Sequence, residues 1–147
     1  MKKTSLVKTA AIGLPYLIGV IVVISAFSNC DFFGLVRVAA VAVLAYLLNQ
    51  VISLFIRRKR PFIRNKKIRP FFTPPTLWRS FPSDHASVLF AIGFASIEMH
   101  AFTGVIILLL AMLNGAARIA SHVHDARDIL GGMIVGLVVV KLLTYLF

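Results

Sequence analysis

Long apolar runs, almost free of charge, dominate this sequence. Residues 10–27, 34–56, 104–118 and 129–146 each form such a run. About 20 apolar residues carry a helix across the hydrocarbon of a bilayer. With a further helix expected over 83–100, the pattern predicts about five transmembrane helices. Of the 147 residues, 59% are hydrophobic and 14% charged, with a mean hydropathy of +0.91. Soluble domains hold about 45–50% apolar and about 25% charged residues. The composition excludes a disordered chain, a collagen, a disulfide scaffold and an ordinary soluble enzyme. The expected fold is all-α: an integral membrane helical bundle plus an interfacial loop, in a single domain spanning 1–147.

The details fit that frame. Lys2, Lys3 and Lys8 before the first run would also suit a signal peptide, but no small-x-small cleavage site follows, so the run reads as a span. Gly13 and Pro15 inside it are tolerable where neighbouring helices re-satisfy the backbone. The second run ends in Asn49, Gln50 and Ser53, so that end should face protein or water. Residues 57–83 hold nine Lys/Arg and five prolines and cannot span. Phe62, Phe71, Phe72, Leu77 and Trp78 there suit either the bilayer interface or ordinary packing. Ser83 after Pro82 is a good N-cap for the third helix, and a turn is expected at 100–103. Gly132 and Gly136 are spaced for close helix packing.

The net charge is +11. In a soluble chain this would suggest nucleic acid. In so apolar a chain no nucleic acid is expected, and an anionic lipid or phosphate substrate fits better. Five spans put the chain ends on opposite sides, with 14 of the 16 Lys and Arg on the N-terminal side and only Arg37 and Lys141 on the other. Such a skew marks the cytoplasm, except where the cations are there to bind phosphate. The single cysteine, Cys30, excludes an internal disulfide and a cysteine-cluster metal site.

Reactive residues interrupt the apolar pattern at four places, all on the basic side: Arg60-Pro61, Pro82-Ser83-Asp84-His85, Arg118, and His124 with Asp128. Ionisable groups near the membrane core cost enough that their clustering points to function. His124 and Asp128 are four apart, and on a helix they would share a face. A carboxylate on one ring nitrogen fixes the tautomer and frees the other as nucleophile or base. His85 lies at a helix N-terminus, a ready anion site, and could protonate a leaving oxygen. Arg60 and Arg118 offer planar forks for phosphate oxygens. Phosphoryl transfer needs little more than such positioning and charge stabilisation. His100 and His122 read as packed or interfacial residues, Asp125 as a solvated loop residue and Glu98 as a turn residue. A metal site from His122, His124, Asp125 and Asp128 is disfavoured, because near neighbours do not share a helix face.

Arg118-x5-His124-x3-Asp128, after Pro82-Ser83-Asp84-His85 and Arg60-Pro61, resembles the three signature motifs of the type-2 phosphatidic acid phosphatase superfamily. That superfamily includes membrane lipid phosphatases and vanadium haloperoxidases. The stretch from Phe81 to Ala86 is similar to the variant in its undecaprenyl pyrophosphate phosphatases. The resemblance implies that His124 attacks phosphorus and forms a phosphohistidine. It further implies that Asp128 orients His124, that His85 protonates the departing oxygen, and that Arg60, Arg118, Ser83 and Asp84 hold the phosphate. No metal or other cofactor is implied. The implied substrates are undecaprenyl pyrophosphate, the lipid A 1-phosphate group, phosphatidylglycerol phosphate and phosphatidic acid. The implied location is the cell (inner) membrane, where many relatives act on the outer side.

Two positions depart from the family pattern. Ser53 stands where the first motif begins with lysine, so one phosphate contact is either missing or supplied by a neighbour such as Arg57 or Lys59, and Ala117 replaces a usual serine. Two readings compete with a phosphatase: a non-enzymatic anionic-lipid binder or small transporter, suggested by the basic loop, and a metallohydrolase.

Overall fold

A computed structural model describes residues 2–74 and 76–146, the first two through their backbone alone. The described residues are helical or irregular, with no strand. The helices are α1 (Lys2–Ser28), α2 (Phe32–Phe55), α3 (Pro61–Arg64), α4 (Asp84–Met99), α5 (Ala101–Ala120) and α6 (Ala126–Leu146). The all-α membrane bundle expected from the apolar runs is the fold observed. Among the described residues α1, α2, α5 and α6 are long and apolar enough to cross a membrane. α4 has 16 residues, about 24 Å of helix, and is the shortest of the bundle.

α4 is the interior element. It packs against α2, α5 and α6, while α1 lies along α5. Ala86, Leu89 and Phe90 of α4 meet Ile18, Ile107, Ala111 and Ile129 in one core. Ala91 and Ala95 meet Val38, Val41, Ala45, Val139 and Val140 in the other. The expected small-residue seam is present. A Cβ on Gly132 would come 2.6 Å from Ala86 Cβ, and one on Gly136 would come 2.7 Å from the Ala91 backbone nitrogen. The outward faces remain apolar, with Tyr16, Phe33, Phe55, Phe102 and Tyr145 all exposed, as lipid-facing surfaces are.

Helix boundaries shift where tertiary contacts decide them. Ser83 is the residue before α4, as expected, but its hydroxyl makes no capping bond. The turn expected at 100–103 shrinks to His100 alone. At this end of the bundle His100 Nε2 lies 3.5 Å from Asp31 Oδ2. Arg37 and Lys141 are also here, and both pair with Glu98, at 2.5 and 3.1 Å. Glu98 is therefore the centre of a charge network that Thr144 joins at 2.8 Å, and not a bare turn residue.

Pro15 lies inside α1. A proline has no N–H to give the carbonyl four residues back, here that of Ala11. α5 takes up the freed oxygen: Asn114 Nδ2 and Arg118 Nη2 each donate to Ala11 O at 3.1 Å. The break in α1 thus becomes the anchor for an arginine at the opposite end from Glu98.

Candidate active site

At that end, the start of α4, the start of α6 and the loop after α2 converge. The Ser83 N–H donates to Asp128 O at 3.0 Å, and the Ser80 N–H to Arg58 O at 2.9 Å. Asp128, in the first turn of α6, is fully buried. Its Oδ2 accepts from Ser80 Oγ at 2.5 Å and from the Asp125 N–H at 2.9 Å. Its Oδ1 stands 3.2 Å from Arg58 Nη1. Oδ2 is thereby hydrogen-bonded twice, while the buried Oδ1 has no hydrogen-bond partner among the described residues and faces only the Arg58 charge.

His124 does not share a helix face with Asp128, as its spacing suggested. It sits in the turn before α6, which begins at Ala126. The turn still brings its Nδ1 to 3.5 Å from Asp128 Oδ2 and 3.1 Å from Ser80 O. Its Nε2 lies 3.2 Å from Arg60 Nη1 and 3.5 Å from Ser83 Oγ. A guanidinium can only donate, so Nε2 carries the lone pair and Nδ1 the proton. Burial pushes the His124 pKa below the ordinary imidazole value; the hydrogen bond to Asp128 pulls it up and the Arg60 charge pushes it down. The net direction is downward, so the ring stays neutral at pH 7.

Arg60 is buried, precedes α3, and is held by Thr76 O at 2.7 Å and Val123 O at 3.0 Å. Burial lowers its pKa, against the pull of Asp84 and Asp128, but a guanidinium remains charged. Arg118 is fixed by Asn114 Oδ1 at 2.9 Å and by Ala11 O. A cavity of about 410 Å³ brings Arg60, Asp84, His85, Arg118 and His124 together, facing Ile12, Pro15 and Tyr16 of α1 and Phe72, Thr73, Pro74 and Thr76 of the loop. One wall is cationic and imidazole-rich, and the opposite wall is largely apolar.

Asp84 lines this cavity, but its Oδ1 already accepts from Asn49 at 2.5 Å and Gln50 at 3.0 Å. A carboxylate would repel phosphate, so what this position offers an anion is its first-turn N–H, which has no partner within the helix. Arg57 and Lys59, expected as stand-ins where Ser53 replaces lysine, do not line this cavity. They line a separate cavity with Ser53, and the arginine between them, Arg58, is the one turned toward Asp128. Asp125 is not a solvated loop residue: Arg58 donates to it at 2.8 Å, and Arg64 pairs with it. His122 packs edge-on against Phe71. Among the described residues no group of three His, Cys, Asp or Glu is placed to hold a metal.

Sequence reasoning missed Ser80, Arg58, Asn49 and Asn114 as parts of this site. Asn49 and Asn114 left a signal, each being an amide in an otherwise apolar run. Ser80 and Arg58 left none, because only the fold brings them to Asp128.

A family model described as the PAP2 superfamily matches residues 34–147. The chain is 38% identical over 76 residues to the bacitracin transport permease protein BcrC of Bacillus licheniformis, which is 46% of this chain and 37% of that protein. It is 27% identical over 104 residues to YbjG of Escherichia coli K12, provisionally named an undecaprenyl-diphosphatase, covering 70% of this chain and 52% of that protein. The chain thus spans roughly a third to a half of these relatives' length. The crystal structure of LpxE from Aquifex aeolicus superposes with a TM-score of 0.80 at 22% identity, over 97% of this chain and 85% of that one. That of a transmembrane PAP2-type phosphatidylglycerolphosphate phosphatase from Bacillus subtilis does so with a TM-score of 0.71 at 23% identity, over 97% and 75%. Both share the fold.

Proposed function

The chain belongs to the PAP2 superfamily, and from that premise we propose that it is a metal-independent membrane lipid phosphatase working through a phosphohistidine. The observation that carries this reading is the His124 lone pair, on Nε2, turned toward the cavity that His85, Arg60 and Arg118 also line.

In this mechanism Arg60 exchanges its contact with Nε2 for a phosphate oxygen as substrate arrives. Arg118 and the Ser83–Asp84 start of α4 hold the other oxygens. Nε2 attacks phosphorus, the N–P bond forms, and the bond to the leaving oxygen breaks. Positive charge grows on the ring, and Asp128 stabilises it through Nδ1–H. His85, charged by a proton taken up as the phosphate dianion binds beside it, gives that proton to the leaving oxygen. It then takes a proton from water, which attacks phosphorus and releases His124 and phosphate. Electrons and protons balance without a further reactant.

The substrate is a phosphorylated lipid of the bilayer. Undecaprenyl pyrophosphate ranks first, supported by the YbjG name and the Ser83-Asp84-His85 sequence. Lipid A 1-phosphate and phosphatidylglycerol phosphate follow. The decisive experiment measures phosphate release by the purified protein from a panel of these lipids, with and without EDTA. Release from at least one lipid, unaffected by EDTA and lost in His124→Ala, is expected. Release that EDTA abolishes would sink metal independence. A His124→Ala protein that keeps full turnover would sink the mechanism. Binding or transport without any release would favour the rival lipid binder or transporter.

A further inference from the structure

A second cavity, of about 390 Å³, lies at the end of α2 and is lined by Ser53, Leu54, Arg57, Lys59, Trp78 and Arg79. It shares no lining residue with the catalytic cavity. The Ser80 N–H bond to Arg58 O, at 2.9 Å, holds the two cationic segments side by side. Ser53 is 2% exposed and spends its hydroxyl on Gln50 O at 2.8 Å, so its short side chain leaves the floor open and offers no nucleophile.

Several cations elsewhere in the fold are paired with carboxylates, and Lys8, Lys66, Lys67, Arg69 and Arg127, which form no ion pair among the described residues, line neither cavity. Arg37 and Lys141 pair with Glu98, and Arg58 and Arg64 with Asp125. Arg57, Lys59 and Arg79 have no ion pair recorded among the described residues, yet all three converge on one hollow. Like charges gathered without a counter-charge call for an anion. The surroundings say which kind. Leu54, Phe55 and Ile56 are exposed beside the cavity, and Trp78 on its rim is 65% exposed. Large apolar residues and a tryptophan beside lysine and arginine mark the headgroup level of a bilayer, where basic clusters attract acidic lipids.

We infer that this cavity binds the headgroup of an anionic glycerophospholipid that is not the substrate. Its phosphodiester lies among Arg57, Lys59 and Arg79, and its chains run down past Leu54. The inference rests on the membrane fold and is independent of the phosphatase chemistry.

Trp78 is the only tryptophan in the chain, so it reports on its own site. The protein is reconstituted in phosphatidylcholine vesicles in which about one lipid in five carries brominated chains, as either phosphatidylglycerol or phosphatidylcholine. Enrichment of the anionic lipid at a tribasic site should make brominated phosphatidylglycerol quench Trp78 at least about threefold more than brominated phosphatidylcholine at equal fraction. The preference should vanish in Arg57→Gln/Lys59→Gln/Arg79→Gln. It should survive in Lys66→Gln/Lys67→Gln/Arg69→Gln, which removes the same charge from loop residues outside the cavity. Equal quenching by the two lipids in the unaltered protein would overturn the inference, and that comparison needs no variant. So would equal loss in both triple variants, which would mean a diffuse surface field.

Discussion

At the scale of single residues, the site turns on which nitrogen of His124 is free. Arg60 on one side of the ring, and the Ser80 carbonyl with Asp128 beside it on the other, settle this. Because burial lowers the His124 pKa, the proposed nucleophile is lost only when the pH falls through a value below the ordinary one. The acid limb of kcat/KM should therefore have its midpoint below about pH 6.5. The Asp128 hydrogen bond raises that pKa, so Asp128→Asn should move the limb to still lower pH while cutting kcat by about 10²–10⁴-fold. A limb at or above pH 6.5 that ignores Asp128→Asn would assign it to another group. His124, Asp128, His85 and the two arginines were legible in the sequence because ionisable groups stand out in an apolar chain. Ser80 and Arg58 were not, since arginines and lysines crowd the loop, Ser80 is one small polar residue among them, and only long-range contacts single these two out. Asp125 was misread for the same reason: its two arginine partners lie more than sixty positions away.

At the scale of elements, the apolar runs and the proline, serine and glycine signals foretold every long helix. They could not foretell that α6 starts after His124, because the turn at 121–125 is shaped by the contacts of Asp128 with Ser80 and the Asp125 N–H. Nor did they show α3, a single turn. Pro15 is the instructive case: as punctuation it reads as a tolerated irregularity, but in the fold it frees the carbonyl that Arg118 needs. Pro15→Ala restores an N–H that competes for Ala11 O, and should lower kcat/KM by about three- to tenfold with the helix content unchanged. Unchanged kinetics in a folded variant would show that Arg118 is held without it. The α4–α6 seam gives a stability test. Gly132→Val drives a side chain into Ala86 and the Ser83 carbonyl and should cost about 1–3 kcal/mol, read as a lower midpoint of thermal unfolding. A variant as stable as the parent would mean that the helices separate freely.

At the scale of the whole molecule, the helices bring reactive residues to one end, beneath a loop and beside α1. The cavity's apolar wall of Ile12, Pro15 and Tyr16 suits a lipid stem, and little of the chain lies outside the bundle to grip a soluble substrate. A short-chain or water-soluble phosphomonoester should therefore have a kcat/KM at least about 100-fold below that of the lipid. Tyr16→Ala should narrow that gap by weakening the lipid alone. A soluble ester turned over as well as the lipid would contradict this. The step on which the proposed mechanism turns is phosphoryl transfer to His124. It is tested most directly by rapidly quenching turnover of a lipid labelled with ³²P in the transferred phosphate, and mapping the protein-bound label. An alkali-stable, acid-labile phosphoenzyme is expected on the peptide containing His124, absent from His124→Ala. Turnover with no such adduct, or with the label on another residue, would contradict it.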